Sequence, residues 1–350
     1  MGLFDRAGAV LILNPARQDP NFFYLSRLTG SPFEGSALVA TKKSKTLLVP
    51  ALDYNLTRSE AKCRVIQFKT RDEFSQKLSL LLKGKRTVGI NYANVSLLAL
   101  RSLRKVVKRA RFVDVSEALD EMRAVKRPDE VASIRRSCSI ASRVMREVPD
   151  IAAKGMTERS IAAEIEKRMK DYGGDEVSFT SIVASGRNSA NPHYYAGDRK
   201  LREGDMVIVD IGCKRANYCS DMTRTFIVGK PSAKQVRMHA TCLEMQRKGI
   251  DLAKHGAKAA EIFNEVGEIG SERGYGGMIH GLGHGIGMAV HESPSLSLKS
   301  KDILRAGNVI TIEPGIYIPS IGGVRIEDDF LITRNGAVQL TAAPKGLVRI

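Results

Sequence analysis

The sequence predicts an α/β first domain, residues 1–123, followed by an α+β second domain, residues 124–350, built around an internal pseudo-twofold repeat. Three observations carry this prediction. Short apolar runs alternate with helical patterns in the first third. From Val177 onward strands dominate, and two distant segments, "LREGDMVIVDIG" (201–212) and "LRAGNVITIEPG" (304–315), match without a gap. A chain of 350 residues accommodates two domains of ordinary size.

Along the first domain, "AVLIL" (9–13), "SALVAT" (36–41), "TLLVP" (46–50), "CRVIQF" (63–68), "TVGI" (87–90) and "RFVDV" (111–115) read as strands. Residues 71–82 and 95–108 read as helices. Within "RSLRKVVKRAR" (101–111), Leu103, Val106 and Val107 fall on one apolar stripe, so the cations form the solvated face of a helix. The texture changes over 123–126, the expected domain boundary. Pro128 then suits the first turn of a helix in which Val131, Ile134, Cys138, Ala141 and Met145 recur at helical spacing. A second helix, 157–172, opens on a Thr157 cap and stops at Gly173-Gly174. The strands beyond Val177 are interrupted by a helical interval over 232–272.

The formal charge is +17, and the first 123 residues hold 22 Lys and Arg against 11 Asp and Glu. Such a surplus invites a nucleic-acid reading, but no recognition motif or aromatic platform accompanies it, so nucleic acid is not the expected partner. Five cysteines, odd in number and without a C-x-x-C pair, argue for reduced thiols rather than a disulfide framework or a thiolate zinc site. No apolar run approaches the roughly 18 residues of a membrane span, and the opening residues carry no cleavage signal. The expectation is a soluble cytoplasmic protein with no membrane partner.

The repeat points to chemistry. Leu201 and Leu304, Arg202 and Arg305, Gly204 and Gly307, and Gly212 and Gly315 are identical pairs, and Asp210 falls opposite Glu313. Each apolar strand therefore ends in a carboxylate. Each is followed by a connection and a returning segment with another acid: "YCSDMTRTFIVG" holds Asp221 and "VRIEDDFLIT" holds Glu327. Four carboxylates brought together in a low-dielectric interior repel one another unless cations neutralise them, and two divalent ions would suffice. "HGLGHGIGMAVHESP" (280–294) offers His280, His284 and His291 as neutral ligands. Its alternating glycines argue against a helix and for a segment whose backbone passes close to something. The same glycines fit neither a dinucleotide nor a P-loop pattern.

Taken with "SGRNSANPHYY", "GDMVIVDIG", "SDMTRTFIVG", "ITIEPGIYI" and "GGVRIEDDFLIT", in that order, residues 124–345 resemble the metallopeptidases of the pita-bread fold. That group includes methionine aminopeptidase, aminopeptidase P, prolidase and creatinase. The first domain is similar to the N-terminal domain of the prolidase and aminopeptidase P branch. Carried over residue by residue, the resemblance implies five metal ligands: Asp210, Asp221, His284, Glu313 and Glu327, with Asp221 and Glu327 bridging two ions. It implies that Glu313 acts as general base or proton shuttle, and that His193 and His291 meet the substrate and the developing charge. Arg325 would steady a metal-bound aspartate, Asp210, while Tyr317 and His280 would be further pocket residues.

The resemblance implies hydrolysis of the bond between an N-terminal residue and proline. Ordinary peptidases handle that bond poorly, because proline lacks an N–H and fixes φ. An oxygen-rich ligand set suits Mn²⁺ or Co²⁺, with Zn²⁺ and Fe²⁺ as the other candidates. The resemblance also implies a homodimer. Two positions depart from the family pattern. Ser295 stands where many dipeptidases have arginine, which leaves dipeptidase and aminopeptidase readings level. Asn217 stands where glycine is usual, and asparagine tolerates the left-handed conformation. The alternatives are a non-catalytic binding protein on the same fold, associated with nucleic acid or ribosomes, and a creatinase-like amidinohydrolase, since fold does not fix substrate.

Overall fold

The computed structural model describes residues 2–16 and 18–350, and the chain divides into two compact units, Met1–Arg123 and Ala124–Ile350. In the first unit, all six apolar runs form strands: β1 (Ala9–Leu13), β2 (Ala37–Ala40), β3 (Lys45–Pro50), β4 (Arg64–Phe68), β5 (Thr87–Ile90) and β6 (Arg111–Asp114). They make one sheet in the order β4-β3-β2-β1-β5-β6. It is mixed: β3 with β4, β1 with β5 and β5 with β6 are parallel, while β1-β2 and β2-β3 are antiparallel. Around it lie α1 (Pro20–Ser26), α2 (Tyr54–Glu60), α3 (Arg71–Leu81), α4 (Leu97–Val106) and α5 (Ser116–Ala124). On α4, Leu103 is buried with the following Val107, while Arg101, Arg104 and Lys105 are exposed, so its cations are the solvated face.

The second unit opens with α6 (Pro128–Ile151), which has proline in its first turn, and α7 (Glu158–Asp171), whose Thr157 side chain accepts from Ser160 N–H. Next come β7 (Glu176–Val177), β8 (Ile182–Ser185), β9 (Met206–Ile211), β10 (Cys213–Arg215), β11 (Tyr218–Cys219) and β12 (Met222–Ile227). The helical interval resolves into α8 (Ala233–Leu252) and α9 (Ala259–Glu272). It is followed by β13 (Gly283–Gly285), β14 (Glu292–Leu296), β15 (Val309–Ile312), β16 (Gly315–Ile318), β17 (Gly322–Arg325), β18 (Asp328–Ile332), β19 (Ala337–Gln339) and β20 (Val348–Arg349).

The two halves of this unit are built alike. In one, Val144, Ile161 and Ile165 of α6 and α7 pack on Val183, Val207, Val209 and Phe226 of the β20-β12-β9-β8 sheet. In the other, Met238, Ile262 and Val266 of α8 and α9 pack on Ile310, Ile312 and Phe330 of the β14-β13-β15-β18-β19 sheet. Each sheet therefore presents one face to its helices, and the carboxylates at the strand ends are left to the other side. Between β10 and β11 the turn uses φ of 48° at Ala216 and 67° at Asn217, so Asn217 does adopt the left-handed conformation.

Register refines the repeat. Thr223 of β12 stands opposite Asp210 of β9. In the other half Ile312 faces Asp328 and Gly315 faces Arg325, which places Glu327 across from Glu313. Thr223 is thus the structural counterpart of Glu327, and Arg325 that of Asp221. Both returning strands carry an acid, but two residues apart in register, a shift that sequence spacing alone does not reveal.

Candidate metal centre

Every residue of β9 is buried, Asp210 included, although a carboxylate in such a strand loses its hydration. Asp221, just before β12, and Glu327, between β17 and β18, are also buried. Glu313 follows β15, and His284 sits in the middle of β13. The five side chains line a single cavity of about 720 Å³ together with His193, His280, His291 and Arg325. One ligand atom each of Asp221, His284 and Glu327 lie within 4.8 Å of one another. His284 Nε2 is 3.7 Å from Asp221 Oδ2 and 3.4 Å from Glu313 Oε1.

The glycines around His284 make this approach possible. A Cβ on Gly283 would stand 2.1 Å from Thr311 O, and one on Gly285 would stand 2.3 Å from Ser293 O. The narrow strand lets His284 N–H reach Thr311 Oγ1 at 3.0 Å and lets its ring face the acids.

Several features fit a divalent-ion site. His284 Nδ1 lies 3.1 Å from Gly285 O, so Nδ1 carries the proton and donates it. Nε2 then turns a lone pair toward two carboxylates, an arrangement that is repulsive until a cation lies between them. Asp210 Oδ1 and Asp221 Oδ1 are buried with no hydrogen-bond partner. Burial, and then the neighbouring acids, push the carboxyls of Asp221 and Glu327 well above the ordinary range, and burial raises Glu313. Burial also lowers the imidazole of His284, so it stays neutral as a ligand must. Four oxygen donors and one imidazole form a hard set, and the buried cysteines take no part in it.

The remaining oxygens are held from behind. Arg325, itself buried, donates from Nη2 to Asp210 Oδ2 at 2.5 Å and from Nε to Thr223 Oγ1 at 3.2 Å. Thr223 Oγ1 donates to Glu327 Oε2 at 2.6 Å. Asp329 Oδ2 accepts the backbone N–H of Asp221 at 3.0 Å and the Cys138 thiol at 3.3 Å; burial raises its carboxyl to about 8. Thr223 and Asp329 were not singled out by sequence reasoning. Their only signal is their place two residues after Asp221 and Glu327, facing the other half.

The remaining candidates are placed as follows. His280 Nδ1 donates to Gly281 O at 2.7 Å, so Nε2 accepts from the Tyr317 hydroxyl at 2.9 Å, and that hydroxyl oxygen accepts from Arg325 Nη1 at 2.9 Å. Tyr317 therefore stands behind the cavity wall, between His280 and Arg325, and is not among the residues lining the cavity. The His291 ring lies 4.2 Å from that of His284, centre to centre, tilted at 57° to it, and burial lowers its imidazole. His193 is exposed on the loop after Gly186–Ala190. The cavity is also lined by Phe179, Ile182, Pro192, Tyr195 and Val290, an apolar surface of which Phe179 and Ile182 lie outside every sequence motif.

No helix among the described residues is long and apolar enough to cross a membrane. Residues 132–334 match Metallopeptidase family M24, and residues 6–125 match the Creatinase/Prolidase N-terminal domain. The chain is 39% identical over 332 residues to a Xaa-Pro dipeptidase of Pyrococcus horikoshii, spanning 95% of this chain and 93% of that one. Among solved structures, it is similar to the prolidase from Pyrococcus furiosus, with a TM-score of 0.88, 36% identity, and 96% and 97% of the two chains covered. It is also similar to an X-Pro aminopeptidase from Thermotoga maritima, with a TM-score of 0.92, 32% identity, and 98% of each chain covered.

Proposed function

Since the chain belongs to metallopeptidase family M24 and its second unit has the pita-bread fold, we propose that it hydrolyses the bond between an N-terminal residue and proline, in dipeptides, in longer peptides or in both. The observation that carries this reading is the gathering of Asp210, Asp221, His284, Glu313 and Glu327 on one cavity wall, with a His284 lone pair aimed at carboxylates. These five would hold two divalent ions, for which Mn²⁺ or Co²⁺ is the first choice. When bound, such ions supply acidification of a water and polarisation of the peptide carbonyl.

The chain's own groups supply the rest. Glu313, on the cavity wall, takes the proton from the attacking water and passes it to the proline nitrogen. His291, neutral beside His284, and His193 at the rim donate to the oxygen on which charge develops. Arg325 fixes Asp210 and Thr223 fixes Glu327, so the acids need not reorganise during turnover. The apolar wall of Phe179, Ile182 and Val290 suits side-chain and proline-ring surface. A cytoplasmic location and a homodimer are part of the same reading, the latter checked by light scattering.

The test is release of the N-terminal residue from Xaa-Pro dipeptides and Xaa-Pro-containing tripeptides, with Mn²⁺ returned after chelation. Cleavage of neither substrate with any divalent ion would refute the reading; the ratio of the two rates separates dipeptidase from aminopeptidase.

A further inference from the structure

Glu158 is the first residue of α7, where an acidic side chain ordinarily faces solvent and the helix dipole, yet here it is fully buried. Its Oε1 accepts Ser185 N–H at 2.8 Å, the Ser185 hydroxyl at 2.6 Å and Asn188 Nδ2 at 3.0 Å. Its Oε2 accepts Gly197 N–H and Asn188 Nδ2, each at 3.3 Å. All of these donors lie outside α7, on the segment 185–197. The carboxylate therefore gathers both ends and one internal residue of a single loop. That loop carries Pro192, His193, Tyr194 and Tyr195, all of which line the cavity.

The attachment is reinforced on every side. Glu158 N–H donates to Arg199 O at 3.0 Å and Arg159 N–H to Gly197 O at 2.9 Å, which pins the outgoing end of the loop to the start of the helix. Asn188 Nδ2 also donates to the Tyr194 hydroxyl at 2.7 Å, linking the hub to the neighbour of His193. The Ser185 hydroxyl receives the Arg199 guanidinium, which is paired with Asp205 at 2.6 Å, so the buried charge has a cation one hydroxyl away. On the opposite flank Gly323 N–H donates to Ser189 Oγ at 2.8 Å, and Arg325 Nη1 reaches Pro192 O at 3.4 Å.

We propose that Glu158 is a positioning residue for the reaction: it sets the path of residues 185–197 and thereby holds His193 over the carboxylate cluster. A charge buried at this depth is retained only where its acceptors are all used, and here each is used on the loop that bears a cavity histidine. A purely structural role would instead direct the carboxylate to its own helix or to a core partner. The inference rests on the reading that His193 meets the substrate, and its test separates the two.

Glu158→Gln keeps the shape of the side chain but puts an NH₂ against a donor. Hydrogen exchange read by mass spectrometry is expected to speed up by about 10-fold or more across 185–197, while β9 and β12 stay as in the parent protein. In Xaa-Pro cleavage the variant is expected to lose about 10- to 100-fold in kcat/KM with bound metal unchanged, and to lose no more than about 2-fold when added to His193→Ala. Unchanged exchange over 185–197 overturns the proposal, as do losses that multiply fully in the double variant. If the parent protein cleaves no Xaa-Pro peptide, the functional reading fails and the exchange experiment still decides the wiring of the loop. Should Glu158→Gln not fold, Ser185→Ala removes one donor, leaves the carboxylate in place and is read in the same two ways.

Discussion

Removing divalent ions from the protein and following its thermal stability with pH probes the carboxylate cluster directly. Asp221, Glu327 and Glu313 have folded-state carboxyls raised above their ordinary values by burial and, for the first two, next by neighbouring acids. In the chelated state the folded chain therefore holds protons that the unfolded chain releases. Stability from these groups is fully present below their unfolded pKa values and is lost as pH climbs toward the folded ones. Each proton so held changes stability by about 1.4 kcal/mol per pH unit. For a unit of this size 1 kcal/mol moves Tm by about 2–4 °C, so one retained proton makes Tm fall by about 3–6 °C per pH unit.

The assay is scanning calorimetry from pH 5 to 8, with chelator and with excess Mn²⁺, reading the transition that responds to the ion. With Mn²⁺ the downward slope is expected to vanish, and the stabilisation by the ion to grow with pH, because protons and metal compete for the same oxygens. Glu327→Gln removes one raised carboxyl and shallows the slope of the chelated protein. A chelated Tm that is flat or rises over this range, with no gain on adding any divalent ion, would refute the claim that these acids converge.

Thr223→Val keeps the volume of a buried residue but deprives Glu327 of its donor and Arg325 Nε of its acceptor; metal affinity is expected to fall by about 10- to 100-fold, measured by competition with a chromophoric chelator. Gly323→Ala would place a methyl 2.0 Å from Ser189 O, so the strand beneath His193 must shift; a loss of about 1–3 kcal/mol in denaturant unfolding is expected. Lys126 and Glu292 form an ion pair 3.2 Å apart with both side chains nearly inaccessible, next to His291; Lys126→Met takes the ammonium away from a buried carboxylate and is expected to cost about 3–5 kcal/mol in the same measurement. For His239, buried on α8 with its imidazole pushed down to about 4 by burial, the sign is opposite to that of the carboxylates: stability is lost as pH falls from about 6.5 toward 4, and His239→Gln flattens that limb in urea unfolding.

The convergence of the four acids was legible because each interrupts a pattern, whereas the choice of His284 among three histidines came from the resemblance. Asp210 and Glu313 break apolar runs, His284 stands among glycines that exclude a helix, and Asp221 and Glu327 sit on the returning segments. The helices were legible from their caps and stripes, as at Thr157 and Pro128. What stayed hidden were residues whose role depends on contacts across long chain separations. Thr223 meets Glu327 over 104 positions, Asp329 meets Asp221 over 108, and Glu158 meets Ser185 and Gly197 on a loop that its own helix precedes. A hydroxyl or a first-turn acid is ordinary in sequence, and only register gives it a partner.

Register also explains how an inexact repeat can build a usable centre. Were the halves identical, the two positions across from Asp210 and Glu313 would both be acids, and so would the two across from Gly212 and Gly315, giving six buried carboxylates for the same cavity. Instead, Thr223 stands where the other half has Glu327, and Arg325 stands where the other half has Asp221. These two substitutions are the groups that hold the remaining acids: Arg325 donates to Asp210, and Thr223 to Glu327. Two fewer negative charges lower the repulsion that bound cations must offset, and the replaced positions become donors that fix ligand orientation. Arg325→Asp, which restores the repeat, should therefore be worse than Arg325→Met: both free Asp210, but only the former adds a buried charge, so its metal-free form should be the less stable at pH 8 and the closer to the Met variant at pH 5. Equal stability of the two variants at both pH values would show that loss of the guanidinium, and not charge balance between the halves, is what the centre feels.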